Sequence, residues 1–227
     1  RTEVALPFFS GIATSQLDRG DVSGNVARVA APFREKRQPF RWWITPSTEP
    51  PALADILKSH GFRHVYDSAG MTFDLTAPGL DAPFPRDLTI RQVSDTAGLE
   101  KWVDVFMVGF ARPQEEFARW RDAYLQRGFG DSSPWTHFVA LLGDRIVAIS
   151  SVLVCGELAG VYNVVTLPEV RGRGIGAAVT RAALQYAREG GSRIAALQSS
   201  EMGLSVYRAI GFQEVCKLVL YDWRPAY

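Results

Sequence analysis

The run Arg171-Gly172-Arg173-Gly174-Ile175-Gly176-Ala177 has the residue types and spacing to hold a phosphate. It stands between a β-rich stretch, 158–167, and an amphipathic stretch, 174–189, so its glycines lie at the mouth of a helix. The first-turn N–H groups of a helix have no internal partner, and the helix dipole makes that end partly positive. Glycine lets a ligand approach such a backbone closely. Together these features make an anion site suited to a pyrophosphate, with Arg171 and Arg173 adding charge-assisted bonds. A turn that only caps a helix needs less than three glycines alternating with two arginines.

Two other phosphate-binding patterns fit less well. Gly172-x-Gly174-x-x-Ala177 satisfies a dinucleotide fingerprint, but that pattern wants its glycines directly after a strand and an acid at the end of the next one. Here Pro168-Glu169-Val170 intervenes, and the next strand ends in Gln198-Ser199-Ser200. No Gly-Lys-Ser/Thr is present for a nucleotide-triphosphate loop. An NAD-binding role is therefore the weaker reading.

The elements that must position this run are legible in the second half. A strand at 88–93 follows a Pro/Gly-rich linker, 76–86. Helical stretches at 95–109 and 114–127 are separated by Ala-Arg-Pro. Residues 135–142 and 145–154 read as strands joined by Gly143-Asp144, a hairpin signal. A third strand, 158–167, is stopped by Pro168, and the helix 174–189 ends at Gly190-Gly191. A short strand at 194–198, a helix at 201–210 and strand material at 213–223 complete a β-α-α-β-β-β-α-β-α-β order.

The first half carries a faint copy. Laying Gly61-Phe62 on Gly211-Phe212 also sets Gly24 on Gly174, Val29 on Val179 and Ile44 on Ile194. A helix at 22–33 then overlies 174–189, and a strand at 42–45 overlies the one at 194. The copy lacks the chemistry, since Asp21 stands where Arg171 does and Val26 where Gly176 does.

The pattern Arg171-x-x-Gly174-x-Gly176 resembles the pyrophosphate motif of the GCN5-related N-acetyltransferase (GNAT) family. Downstream, the segment from Ser200 to Gly211-Phe212, with Tyr207 four residues before that glycine, resembles the family's second signature. The element order matches the family fold, a mixed α/β sheet, over about 88–223, and the first half resembles the degenerate half of tandem members. The expected division is a degenerate half, 1–80, and a catalytic domain, 87–227.

The resemblance implies an acetyl-CoA-dependent transfer to a primary amine of a small molecule, with no metal. It implies that Arg171 to Ala177 (Arg171, Gly172, Arg173, Gly174, Ile175, Gly176 and Ala177) hold the pyrophosphate. The strand residues Val164, Val165, Thr166 and Leu167 would lend backbone groups to the pantetheine arm and polarise the thioester carbonyl. Ser200, Gly203 and Tyr207 share one helix face by their spacing. The bare Gly203 leaves room for the cofactor, and the family implies Tyr207 as proton donor to the departing thiolate. Ser200 departs from the asparagine common in the family.

The attacking amine must be neutral, and at pH 7 an ordinary alkylamine is so in about one molecule in 2,500, a cost of about 4.6 kcal/mol. Asn163 and Tyr162 are candidates to position a water that takes the proton. Neither is itself a good base, and Glu157 stands at the far hairpin. In the family fold the acceptor cleft lies between the first two helices and the central strands, where this chain has Phe106, Phe110, Trp120, Trp135 and Tyr162. About half of these rings are expected in the core, and the remainder suit a compact, partly apolar amine. The alternative is a coenzyme A-binding sensor or partner-binding module of the same fold without turnover.

Composition agrees with an ordinary globular protein: 227 residues, 47% apolar and 22% charged. Lys+Arg 25 against Asp+Glu 24 leaves a net charge of +1, so no field draws the chain to nucleic acid or a membrane. The oligomeric state stays open, a homodimer included. Cys155 and Cys216 are expected as buried free thiols in the reducing cytoplasm. His60 and His64 are interrupted by Gly61 and lack a third metal ligand. Residues 1–4 do not have the pattern of a signal peptide, and the absence of an initial methionine leaves the native start open.

Overall fold

A computed structural model describes residues 11–13, 15–17, 20–129 and 133–225. The opening stretch, 1–4, lies outside them. The chain divides into two compact units, residues 1–70 with 215–227 and residues 71–214. The linker boundary expected between 80 and 87 therefore falls inside the second unit. The last strand material falls in the first.

The first unit contains β1 (Gly11–Ile12), α1 (Val22–Glu35), β2 (Phe40–Ile44) and α2 (Leu53–Ser59). It also takes most of β3 (Arg63–Asp74) and, from the other end of the sequence, most of β9 (Gln213–Trp223). Its strand order is β1-β2-β9-β3. β1 and β2 are parallel, whereas β2 and β9 are antiparallel with Phe40 opposite Trp223 and Ile44 opposite Val219. Val26 and Ala30 on α1, Leu53 and Leu57 on α2, Phe40, Trp42, Phe62 and Tyr221 form the core. The spacing of three or four residues on each helix gives it one apolar face for that purpose. The Trp42 indole, buried with them, donates to Ser15 Oγ at 2.8 Å, so its polar edge is satisfied.

The second unit holds the end of β3 and then β4 (Leu88–Gln92), α3 (Thr96–Gly109), α4 (Phe117–Arg127) and β5 (Trp135–Leu142). β6 (Arg145–Cys155), β7 (Leu158–Thr166), α5 (Ile175–Glu189), β8 (Ile194–Ser199) and α6 (Glu201–Ile210) complete it. Its strand order is β3-β8-β7-β6-β5-β4. β4 to β7 are antiparallel neighbours, and β7 and β8 are parallel. The middle of β6 is buried without the usual alternation, because α3 and α5 both pack on it. Ser150 Oγ donates to the Val179 carbonyl of α5, which assigns α5 to one face of the sheet. The next residue, Ser151, faces the other way, toward α3.

The cysteines differ from the sequence reading. Both cysteines are free, but Cys155 is exposed and Cys216 is only partly buried. Cys155 is the last residue of β6, at the lip of a turn whose Gly156 has φ of 59°. The imidazoles of His60 and His64 face separate partners, Ser23 Oγ and Asp67 Oδ1, each at 2.8 Å.

Candidate functional site

Helix α5 begins without a side-chain cap. Gly174 occupies the N-cap in the left-handed region, φ 74°, and Gly172 has φ 77°. Neither has a heavy atom within 4 Å of where a Cβ would stand, so backbone conformation rather than crowding selects glycine there. Gly176 is different, since a Cβ would come 3.0 Å from Thr166 Oγ1. By contrast α1, α3 and α6 are closed by Asp21, Asp95 and Ser200, each accepting from a first-turn amide. The amides of Ile175, Gly176 and Ala177 are therefore left for an external acceptor.

The two arginines of the run lie differently. Arg171 Nε donates to the Thr166 carbonyl at 3.1 Å, which folds it back onto the end of β7. Arg173 pairs with Asp87 at 2.8 Å. Both are exposed pairs of the kind that contribute little and exchange readily.

β7 and β8 share ladder contacts only from Leu158 to Gly160, opposite Ile194 to Ala196. Beyond Gly160, β7 continues to Thr166 without that partner, which leaves one edge of its backbone open. The Leu167 amide donates to Val147 O at 2.9 Å, toward β6, and strand alternation turns Val165 the same way. Of the strand residues expected to serve a ligand, 164 to 167, Val164 and Thr166 aim their backbone at the open edge. Leu167 and Val165 belong to the β6 ladder, because a strand offers only alternate residues to each side.

The register of β6 and β7 slips between Ile149 and Ser151, a bulge at Asn163, whose φ is 55°. Bulges re-aim side chains, and asparagine is among the few residues that tolerate this conformation. Here it turns Asn163 to the face that already carries Tyr162, so Asn163 Nδ2 donates to Ser151 Oγ at 3.3 Å. The Ser150 carbonyl opposite the bulge accepts from the Trp102 indole of α3 at 3.2 Å. Gly109, the last residue of α3, sits against Val165 with no room for a Cβ.

Tyr207 is buried on α6, edge-on to Phe212 with ring centres 5.8 Å apart. Burial pushes its phenol up to about 12. A Cβ on Gly203 would come 2.8 Å from the Tyr207 ring, so that glycine makes room for the tyrosine. Ser200 Oγ accepts from the Gly203 amide at 3.2 Å.

The aromatic residues separate into two groups. Phe106 and Trp120 are fully enclosed, with ring centres 4.8 Å apart, and offer no surface to a ligand. Helix α3 turns Phe106 inward with Trp102, on the apolar face that anchors the helix. Trp135 and Tyr162 stand 5.2 Å apart at the surface, with the Arg127 guanidinium 5.4 Å from the Trp135 ring centre. Phe110 is half-buried, 4.6 Å from Phe106. Glu157 lies in the β6–β7 turn beside Arg193, six strand residues and about 20 Å from Asn163.

Sequence reasoning missed His137, Ser151 and Trp102. Ser150-Ser151 inside an apolar run was the available signal, since a buried hydroxyl needs a partner. Among the described residues no cluster of three or more His, Cys, Asp or Glu could hold a metal ion. None of the described helices is long and apolar enough to cross a membrane.

The acetyltransferase (GNAT) family model matches residues 99–212, from α3 through the α5 turn to the Gly211-Phe212 pair. The chain belongs to the GNAT family. Solved GNAT structures share its fold. A GCN5-related N-acetyltransferase from Kribbella flavida superimposes with a TM-score of 0.73 at 20% identity, covering 93% of this chain and 78% of that one. Another from Sphaerobacter thermophilus gives 0.70 at 20% identity over 92% and 70%. A tandem GNAT protein from the clavulanic acid biosynthesis pathway gives 0.66 at 15% identity over 93% and 73%. At these identities the likeness is one of fold. No curated protein matches the chain.

Proposed function

We propose that the chain transfers the acetyl group of acetyl-CoA to the primary amine of a small molecule by direct attack. The observation that carries this reading is the uncapped, glycine-lined start of α5 beside the open edge of β7. Acetyl-CoA supplies an activated acyl thioester. The Ile175, Gly176 and Ala177 amides bind its pyrophosphate, with Gly172 and Gly174 setting the turn. Arg171 and Arg173 add charge, Arg173 exchanging Asp87 for phosphate. The outward backbone groups of Val164 and Thr166 hold the pantetheine arm, and the bulge at Asn163 marks where the thioester carbonyl meets a backbone donor.

Tyr207 serves the departing sulfur from α6. A phenol near 12 facing a thiol of about 8.5 gives up its proton well uphill, so its contribution is a hydrogen bond that strengthens as charge develops on sulfur. Asn163 and Tyr162 hold a water that accepts the amine proton. His137 is no substitute base, because burial keeps its imidazole down at about 4. Trp135, Tyr162 and the exposed side of Phe110 form the acceptor walls and suit a compact amine with apolar area.

We also read residues 1–80 as a degenerate GNAT half and residues 87–227 as the catalytic domain. In support, α1-β2-α2-β3 repeats the order α5-β8-α6-β9, and β1 and β2 are parallel as β7 and β8 are. In the copy the Asp21 carboxylate accepts from the Gly24 amide at 2.8 Å and blocks that helix to a phosphate.

Thiol release from acetyl-CoA across a panel of primary amines tests the function. Release with a subset of small amines is expected. No release with any amine, alongside tight coenzyme A binding, would instead identify a binding module.

A further inference from the structure

Three polar side chains on adjacent strands of the second unit are linked below the β7 bulge. His137 on β5 is completely enclosed, and its Nδ1 lies 2.7 Å from Ser151 Oγ on β6. Ser151, also completely enclosed, accepts from Asn163 Nδ2 on β7. A hydroxyl has one proton to give. It also has two lone pairs, so Ser151, while accepting from Asn163, pairs with His137 Nδ1 whichever ring nitrogen carries the imidazole proton. His137 Nε2 has no hydrogen-bond partner among the described residues. The rings of Trp102, Tyr124 and Trp135 surround the imidazole at 4.9, 5.7 and 6.4 Å.

A phenylalanine would suit such a ring cluster without leaving a polar edge buried. What histidine adds is a fixed ring nitrogen hydrogen-bonded to Ser151. Register pairing makes this precise in space: His137 is opposite Ser151, and Ser151 is opposite Tyr162, immediately before the bulge. We infer that His137 is a positioning residue, which through Ser151 holds Asn163 and the β7 bulge in the shape that the transfer requires. The inference rests on the acetyltransferase reading. Burial, reinforced by the Arg127 charge, keeps the imidazole neutral, so its bond to Ser151 is not altered by protonation in the neutral range.

Steady-state kinetics of His137→Phe, His137→Asn, Ser151→Ala and the His137→Phe/Ser151→Ala double variant test this. His137→Phe and Ser151→Ala are expected to lower kcat about 10- to 100-fold, with KM for acetyl-CoA held within about two-fold. The double variant should be no worse than either single, because both cut one chain. His137→Asn, which offers an amide oxygen where Nδ1 was, should recover most of the rate. An unchanged kcat in His137→Phe, or losses that multiply in the double variant, would overturn the inference.

If wild type releases no thiol with any amine, the transferase reading fails by itself. The positioning role is then read by NMR on the Asn163 side-chain amide. Its resonances should shift and its hydrogen exchange should quicken in His137→Phe but not in His137→Asn. Identical Asn163 signals in wild type and His137→Phe would overturn the positioning role whatever the activity.

Discussion

Acidification should weaken the fold through His137 before most carboxylates begin to titrate. The imidazole has an ordinary value of 6.5 and is held at about 4 in the folded protein, first by burial and then by Arg127. The other side chains packed on it, Ser151, Trp102, Tyr124 and Trp135, bring no negative charge. Because the folded value is the lower one, the unfolded chain takes up the proton first. Stability is therefore intact above about 6.5 and lost as pH falls toward 4. The ceiling is about 3 kcal/mol, and from pH 7 to pH 5 the loss is about 2 kcal/mol. Urea unfolding at half-unit intervals from pH 7 to pH 5 measures it, for wild type and for His137→Asn. Other groups titrate equally in both proteins, so the difference between the two curves isolates the histidine. Wild type should lose about 2 kcal/mol relative to His137→Asn across the interval. A constant gap across the interval would refute the reasoning.

Gly174→Asp places a carboxylate at the uncapped start of α5 and should abolish the melting shift that acetyl-CoA gives wild type, about 2.7 kcal/mol of stabilisation at 100 times Kd. A shift that survives would mean the phosphates bind elsewhere. Calorimetry should return one coenzyme A site per chain, because Asp21 closes the corresponding helix of the first unit. Two equivalent sites would contradict that. Tyr207→Phe removes a hydrogen bond to the charging sulfur and should lower kcat by about 10- to 100-fold, with little change in KM. An unchanged kcat with chemistry rate-limiting would remove Tyr207 from the reaction.

The fold of the second half was legible because punctuation and periodicity agree there. Gly143-Asp144, Pro168 and Gly190-Gly191 bound elements whose apolar spacing leaves one assignment each, and the helix expected at 201–210 has those limits in the structure. The phosphate turn was legible for the same reason, since Gly172 and Gly174 adopt a conformation that side chains resist. The bulge was not. Val164-Val165-Thr166 is β-branched and reads as unbroken strand, and the slip depends on what Ser150 and Ser151 find on both sides of β6. Which of residues 164–167 face outward was hidden likewise, because which alternate residues serve β6 is a matter of register. Phe106 shows a third limit: an aromatic residue in a cleft-forming helix reads the same whether it lines the cleft or anchors the helix.

The placement of β9 between β2 and β3 carries a consequence for biosynthesis. Both neighbours of that strand emerge from the ribosome early, yet the strand that separates them is made only after the whole second unit. Until then the first unit lacks an interior strand, and Phe40, Trp42 and Phe62 lack the cover of Tyr221. A nascent chain stalled in the second unit therefore exposes two sticky strand edges, with chaperones as their natural guardians. Vectorial folding, half by half, is closed to this topology, and the first half made is the last one finished.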